Sequence, residues 1–317
     1  MDTDKYCISL ESIQAARGRV ESLVSRTPVL TSSTLDGLSG RQLFFKCEFM
    51  QKTGSFKARG ATNALVKNKY PAVVTHSSGN HGQALSWAAK MTSTPAYIVM
   101  PSNSPDCKIA AVKGYGGIVT LCEPNLASRE SASRAVMEST GAAFVHPYND
   151  PDVMAGQGTM ALELLEQVVE NLDLIIVPVG GGGMCSGVSM AAKSLNPSIR
   201  IVGAEPEMAN DAFRSKEAGH LVPNDSPPIT IADGLKTNLG DKTWPIIKDY
   251  VDDIITVSED EIRSALFLAY ERMKIVLEPS AAVGIAVALS TAFKSKWGSS
   301  QRVGIVLCGG KTIVKLY

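Results

Sequence analysis

Short apolar runs rich in valine and isoleucine alternate along this chain with longer segments of helical periodicity. Runs that are apolar throughout are typical of parallel strands buried on both faces. We predict strands at Ala72–Thr75, Ala96–Met100, Ile118–Leu121, Leu174–Val179, Ile201–Ala204 and Val303–Cys308. We predict helices at Gly82–Met91, Asp106–Tyr115, Ser128–Thr140, Gly156–Glu170, Ser186–Leu195 and Glu259–Val276. The alternation predicts an α/β fold with open, parallel-rich sheets and helices on both faces.

The segment 71–145 holds three strand–helix units of its own. We predict that it forms a small domain inserted into a larger one, which takes residues 1–70 and 146–317. A chain of 317 residues is long enough for two domains that share a cleft.

The balance of charged residues argues against a protein that binds nucleic acid. Lysine and arginine number 31, as do aspartate and glutamate, so the formal net charge is zero. Nucleic-acid binders usually carry a basic excess, and we expect no nucleic-acid polymer as partner.

No apolar run reaches the roughly 18 residues that span a bilayer, and the N-terminus lacks the apolar core of a signal peptide. The six cysteines form no C-x-x-C pair, which argues against a disulfide scaffold or zinc site. We expect a cytoplasmic protein without membrane contact.

A lysine between small residues, Lys57, opens a helical stretch in the segment Thr53–Gly60. One interpretation is a surface lysine at a helix start. The other is a nucleophilic amine in a confined site, with its pKa lowered by desolvation and by a cationic neighbour such as Arg59. These residues alone leave both open.

Four consecutive glycines, Gly180 to Gly183, follow the predicted strand Leu174–Val179 and precede a helix. Glycines at such a junction let backbone N–H groups approach an anion, and the helix N-terminus adds partial positive charge. The motif predicts a phosphate site; a flexible turn is the alternative. The spacing matches neither the dinucleotide fingerprint nor a P-loop.

Two further polar segments follow predicted strands. The segment His76–Gln83 places hydroxyl, amide and backbone donors at a helix start, which suits a carboxylate ligand; an ordinary capped helix is the alternative. The segment Glu205–Asp211 clusters carboxylates that could hold a hard divalent cation. A solvated acidic loop explains that segment equally well.

Together these motifs resemble the fold-type-II pyridoxal-phosphate enzymes, in particular the serine racemases and the serine/threonine dehydratases. The matching segments are TPVLTSS at 27–33, FFKCE at 44–48, QKTGSFKARGA at 51–61, HSSGNHGQAL at 76–85, AGQGT at 155–159, VPVGGGGM at 177–184 and TIADG at 230–234. The resemblance implies a two-lobed fold like that of the tryptophan synthase β-subunit. It implies that the large domain binds the cofactor and that the small domain is mobile.

The resemblance also implies roles for individual residues. Lys57 would be the Schiff-base lysine, with Phe56 beside the cofactor ring and Asn80 on its phenolic oxygen. The phosphate would lie on Gly180, Gly181, Gly182, Gly183 and the N–H of Met184, with Gly234 near the cofactor. The substrate would contact Ser77, Ser78, Asn80 and His81, and its carboxylate would be held by Ser77, Asn80 and His81.

The implied activity is interconversion of L- and D-serine, together with elimination of water from serine or threonine. Lys57 would serve one face of the substrate Cα and Ser78 the other. Related dehydratases carry alanine at the position of Ser78, so this serine favours racemisation. Cys308 stands where a serine usually meets the ring nitrogen and resembles liver-type serine dehydratases. A catabolic L-threonine/L-serine (or threo-3-hydroxyaspartate) dehydratase with little racemisation is therefore the alternative. A further alternative is a protein that binds the cofactor but catalyses no reaction.

The resemblance implies three further partners. Glu205, the Ala209 carbonyl and Asp211 match a site for Mg²⁺, which Ca²⁺ or Mn²⁺ could replace. A homodimer is expected, with ATP as a possible activator. The positions that match the family's nucleotide site are Lys52, Thr53, Gln83, Tyr115 and Lys274.

Overall fold

A computed structural model describes residues 5–311 of the chain. Its strands form two sheets. The six-stranded sheet has the order β1 (Val29–Leu30), β2 (Gln42–Lys46), β10 (Arg302–Val306), β7 (Leu174–Pro178), β8 (Arg200–Pro206) and β9 (Asp253–Val257). The four-stranded sheet has the order β5 (Ile118–Cys122), β4 (Ala96–Pro101), β3 (Val73–His76) and β6 (Ala143–Phe144). Every named pair is parallel except β1 with β2, so the α/β prediction is confirmed.

The helices surround both sheets, and several begin at side chains that cap their free N–H groups. Asn125 caps α6, Asp150 caps α7, and Ser258 forms a capping box with Glu261 at the start of α11. The helices are α1 (Leu10–Val20), α2 (Ser33–Ser39), α3 (Lys57–Asn68), α4 (Asn80–Met91), α5 (Asp106–Gly114), α6 (Leu126–Thr140), α7 (Pro151–Gln167), α8 (Gly183–Leu195), α9 (Asp211–Ala218), α10 (Trp244–Tyr250), α11 (Glu259–Leu268), α12 (Pro279–Leu289) and α13 (Thr291–Lys296). No helix within residues 5–311 is both long and apolar enough to cross a membrane.

The predicted helix Glu259–Val276 is wrong in its second half. The α-helix ends at Leu268 and a π-helical turn, Ala269–Met273, follows. Lys274 then adopts a left-handed backbone with φ of 59°, which ends the helical segment because a right-handed helix requires a negative φ at every residue.

Helix α7 contributes to the cores of both sheets, whereas α3 packs in the small-sheet core and only the residue before it reaches the large-sheet core. In α3, Ala61 and Leu65 pack with the small-sheet core, whereas Phe56, just before it, packs with the large-sheet core. In α7, Val153 joins the small-sheet core and Met154 the large-sheet core. The two helices meet backbone to backbone, because a Cβ on Gly156 would lie 2.6 Å from the Cα of Gly60.

A buried ion cluster fixes the start of α3 against the large sheet. Arg59 donates to Glu48 from Nε at 2.8 Å and to Glu163 from Nη1 at 2.7 Å. Lys46 on β2 donates to Glu163 at 2.6 Å, and Thr27 donates to Glu48 at 2.6 Å. Two cations and two carboxylates balance, which is the condition for placing charges in a core. The cluster holds the helix whose first residue is Lys57.

Candidate active site

A cleft of about 590 Å³ lies between the two sheets, at the carboxyl ends of their strands. This edge is where open parallel sheets place their ligands. Residues after β3, β7 and β10 line it, together with the start of α3. The cleft collects most of the predicted site residues: Phe56, Lys57, Ser77, Ser78, Asn80, His81, Gly180, Gly181, Gly182, Gly183, Met184, Gly234 and Cys308.

The amine of Lys57 is held in the cleft and donates to the carbonyl oxygen of Pro147 at 2.7 Å. Burial lowers the pKa of Lys57 to about 8, and attraction from Cys308 and Glu278 offsets part of that effect. Its Nζ lies 5.0 Å from the centre of the Phe56 ring. The expectation that Arg59 lowers this pKa is wrong, because its guanidinium is paired with Glu48 and Glu163. Burial thus makes the neutral form of the Lys57 amine more accessible than it is in water.

The glycine loop joins β7 to α8 and is packed too tightly to be a flexible turn. A Cβ on Gly181 would collide with the ring of Tyr148, and one on Gly183 would lie 2.6 Å from the Tyr148 carbonyl oxygen. Thr243 Oγ1 donates to the carbonyl of Gly181 at 2.9 Å. Gly182 has φ of 88°, a conformation that favours glycine. The first N–H groups of α8 have no acceptor within the helix, so the loop suits an anion.

The turn between β3 and α4 carries Ser77, Ser78, Asn80 and His81. The Ser77 hydroxyl oxygen accepts from the N–H of Gly79 at 3.3 Å. His81 Nε2 lies 3.2 Å from the carbonyl of Val145, which only accepts, so this nitrogen carries the proton. Burial lowers the pKa of His81 well below its usual range. The neutral ring cannot donate from Nδ1, so only the His81 backbone N–H is left to donate to a carboxylate.

Sequence reasoning missed Glu278, which also lines the cleft. Both of its carboxylate oxygens accept from Asn80 Nδ2, at 3.1 and 2.9 Å, and Cys308 Sγ lies 3.8 Å from Oε1. Burial raises the pKa of Glu278 to about 7. The available signal was an acidic residue directly before the apolar helix α12.

The candidate metal residues lie apart from the cleft lining, between the end of β8 and the start of α9. Glu205 accepts from the N–H groups of Ala212 and Phe213, at 3.1 and 2.8 Å. Asp211 accepts from the N–H of Leu239 at 2.8 Å. Burial raises the pKa of both carboxyls, and the charge of Asp211 raises that of Glu205 further. Within residues 5–311, no three histidine, cysteine or acidic side chains cluster as metal ligands.

The predicted nucleotide residues lie outside the cleft lining: Lys52, Thr53, Gln83, Tyr115 and Lys274. Two of them, Thr53 and Lys274, have φ of 59°, where a residue with a side chain is strained. The Gln83 amide nitrogen is buried without a hydrogen-bond partner among the described residues.

Comparisons with known proteins agree with this geometry. A family model described as pyridoxal-phosphate dependent enzyme matches residues 20–309. A serine racemase of Homo sapiens is 51% identical over 313 residues, covering 96% of this chain and 92% of the human protein. The structure of maize serine racemase is similar with a TM-score of 0.95 and 47% identity, covering 98% of this chain and 95% of the maize chain. The structure of a T.th. threonine deaminase is similar with a TM-score of 0.92 and 40% identity, covering 98% of this chain and 100% of the deaminase chain.

Proposed function

The chain belongs to the pyridoxal-phosphate-dependent enzyme family, and we propose that it is a serine racemase that also eliminates water from serine and threonine. The observation that carries the proposal is that Lys57 and Ser78 line one cleft beside the glycine loop. The identity of 51% to a serine racemase over most of both chains supports it. A catabolic threonine/serine dehydratase with little racemisation is the second candidate, and Cys308 favours it.

The cleft fits pyridoxal phosphate. The buried amine of Lys57 has its pKa lowered to about 8, so a substantial fraction is neutral and nucleophilic near neutral pH. The N–H groups that open α8 have no acceptor within the helix, and the glycine loop before them is packed so closely against Tyr148 and Thr243 that no side chain fits there. We propose that Gly180 to Gly183 and Met184 hold the phosphate, with Phe56 and Gly234 beside the ring. Asn80 would contact the phenolic oxygen and Cys308 the ring nitrogen.

When bound, the cofactor supplies an electron sink that stabilises negative charge at the substrate Cα. The carboxylate of serine is bound by Ser77, Asn80 and the His81 backbone N–H. Lys57 Nζ removes the Cα proton on one face, and the Ser78 hydroxyl gives a proton back on the other. The reverse direction uses the same two groups with their protonation states exchanged.

Elimination needs only one of these two groups. Lys57 removes the Cα proton, the bond from Cβ to the hydroxyl breaks, and the protonated Lys57 amine gives that proton to the leaving hydroxyl, which departs as water. Hydrolysis then yields pyruvate and ammonia from serine, or 2-oxobutanoate and ammonia from threonine. Threonine differs by one methyl group, which is worth only about 1–3 kcal/mol of discrimination, so we propose that both are substrates.

The proposal includes the wider assembly. Glu205, the Ala209 carbonyl and Asp211 are proposed to hold Mg²⁺, Ca²⁺ or Mn²⁺, since a cation would stabilise the ionised form of buried carboxyls whose pKa is raised.

We propose a cytoplasmic homodimer activated by ATP at Lys52, Thr53, Gln83, Tyr115 and Lys274. Residues 71–145 are proposed as a mobile domain that closes over the substrate. Scattering curves that do not change with substrate would contradict the closure.

A paired assay tests the activity. Purified protein with pyridoxal phosphate, Mg²⁺ and L-serine is followed for D-serine and pyruvate in one tube. Both products support the racemase with elimination. Pyruvate without D-serine supports the dehydratase, and neither product contradicts both.

A further inference from the structure

Glu278 is a buried carboxyl at the cofactor cleft that the proposed reaction does not use. It is 3% exposed and precedes the first turn of α12. Within residues 5–311 it forms no ion pair, although a buried carboxyl is usually paired with a cation. Its hydrogen-bond partners are the amide of Asn80 and the thiol of Cys308.

These two partners are the residues proposed to contact the phenolic oxygen and the nitrogen of the cofactor ring. An ionised carboxylate only accepts hydrogen bonds, so the NH₂ group of Asn80 has to face Glu278. The direction of the other Asn80 amide atoms is thereby fixed. Room for the carboxyl depends on the neighbouring backbone, since a Cβ on Gly309 would lie 2.5 Å from Glu278 Oε1.

We infer that Glu278 is a positioning residue, whose carboxyl orients the Asn80 amide and acts on the Lys57 amine that lines the same cleft. This inference rests on the proposed function and deepens it. Glu278 itself has no contact with the reacting carbon in this role, because it acts through Asn80 and through its field at the amine.

The electrostatics agree with the geometry. Burial raises the pKa of Glu278 to about 7, and its charge raises the pKa of Lys57, which burial has lowered to about 8. Glu278 therefore changes from a neutral acid to a carboxylate as pH rises through neutrality. The carboxylate favours the cationic amine, whereas the neutral acid can donate a hydrogen bond of its own. The titratable and polar groups that interact with this carboxyl, by hydrogen bonds or by charge, are Lys57, Asn80, Lys108, Asp233, Cys308 and Lys311.

The first experiment follows the absorption spectrum of the cofactor-loaded protein as a function of pH. We expect an inflection near pH 7 in the wild type and its loss in Glu278→Gln. Glu278→Asp should restore a titration at a shifted pH. Glu217→Gln, which changes an exposed carboxyl, should behave as the wild type. An unchanged inflection in Glu278→Gln would overturn the inference.

The second experiment uses cofactor-free protein. The rate of reductive methylation of Lys57 is measured against pH by peptide mass spectrometry. Glu278→Gln should lower the pKa of Lys57, because the attraction of the carboxylate is lost. A pKa of Lys57 that is the same in both proteins would overturn the inference. If Glu278→Gln does not fold, Glu278→Asp decides, since an inflection identical to the wild type's would contradict it.

These experiments distinguish a failure of the role inferred for Glu278 from a failure of the proposed activity. Spectra that titrate as expected without formation of D-serine or pyruvate would leave Glu278 in its role and contradict the proposed activity. A protein that takes up no pyridoxal phosphate contradicts the proposed activity too, and the Lys57 measurement then decides the role of Glu278.

Discussion

Arg59 forms a two-point ion pair with Glu163, from Nη1 at 2.7 Å and from Nη2 at 2.8 Å, and its side chain is completely buried. Arg59→Met should lower the free energy of unfolding by about 3–5 kcal/mol, because it leaves two buried carboxylates with too little positive charge. Urea denaturation measures this loss. Lys67→Met, which removes an exposed pair with Asp152, should lower it by about 1 kcal/mol or less. Equal losses in the two variants would contradict a structural role for the buried pair.

Ser78→Ala separates the two proposed reactions. Racemisation should fall by roughly a hundredfold or more, the usual effect of losing an acid–base group. Pyruvate formation should fall much less, because elimination needs only Lys57. The measurement is the ratio of D-serine to pyruvate formed from L-serine, with the exposed Ser198→Ala as control. Full racemase activity in Ser78→Ala would assign this serine to carboxylate binding or helix capping.

Gly181→Ala tests the phosphate loop. The added methyl group would collide with the Tyr148 ring, so the loop has to move away from its packed position. We expect the Kd for pyridoxal phosphate to rise by about tenfold or more, equal to about 1.4 kcal/mol. Gly18→Ala is the matched control, since a Cβ there has nothing within 4 Å. Fluorescence titration gives both constants, and equal constants would refute the assigned loop.

The stability of the cofactor-free protein should fall as the pH is lowered from about 6.5 towards 4. Burial, together with the charges of His76 and Lys57, lowers the pKa of His146 from 6.5 to about 4. In this interval the unfolded chain binds the proton and the folded protein does not, so folding is favoured at the higher pH. Thermal unfolding across the interval measures the effect.

His146→Asn is the control for that measurement. The His146 ring accepts the N–H of Asn149 on Nδ1 at 3.0 Å, and an asparagine oxygen can replace this acceptor without titrating. The variant should lose less stability on acidification than the wild type. An identical pH dependence would mean that other groups cause it.

A divalent cation should stabilise the protein through Asp211 and Glu205. At a hundredfold excess over Kd, Mg²⁺ or Ca²⁺ would raise the free energy of unfolding by about 3 kcal/mol. Binding should release protons, because the raised pKa of Glu205 favours its neutral form without a cation. Asp211→Asn should abolish the rise in Tm and the exposed Glu207→Gln should keep it. A rise in Tm that survives in Asp211→Asn would place the cation elsewhere.

The strands with long apolar runs could be predicted from sequence, and β3, β4, β5, β7, β8 and β10 lie within two residues of the predicted ranges. The strand β2 was missed because QLFFK has only three apolar residues between polar ends, and β9 because DIITV is short and begins with an acid. The π-helical turn after Leu268 could not be read from a pattern that keeps its helical period.

Motifs with several chemically unusual residues could be recognised, but partners distant in sequence could not. Arg59 was misread as a neighbour of the Lys57 amine, since only the fold shows that α3 directs it towards Glu48 and Glu163. Glu278 was missed because an isolated acid before a helix is usually an exposed residue. It lies 198 residues from Asn80 in the chain, and tertiary folding alone brings the two together.

The contact between Gly60 and Gly156 has a mechanical consequence. The two chain connections between the sheets run through the helices that meet there, and α7 takes part in the cores of both sheets. Because no side chain separates the two backbones, the helices cannot easily shift past each other along their axes. The proposed closure of the small domain would then be a hinge rotation about the contact between Gly60 and Gly156. A side chain larger than hydrogen at either glycine would displace the axis of that rotation, and with it the distance from Ser78 to Lys57.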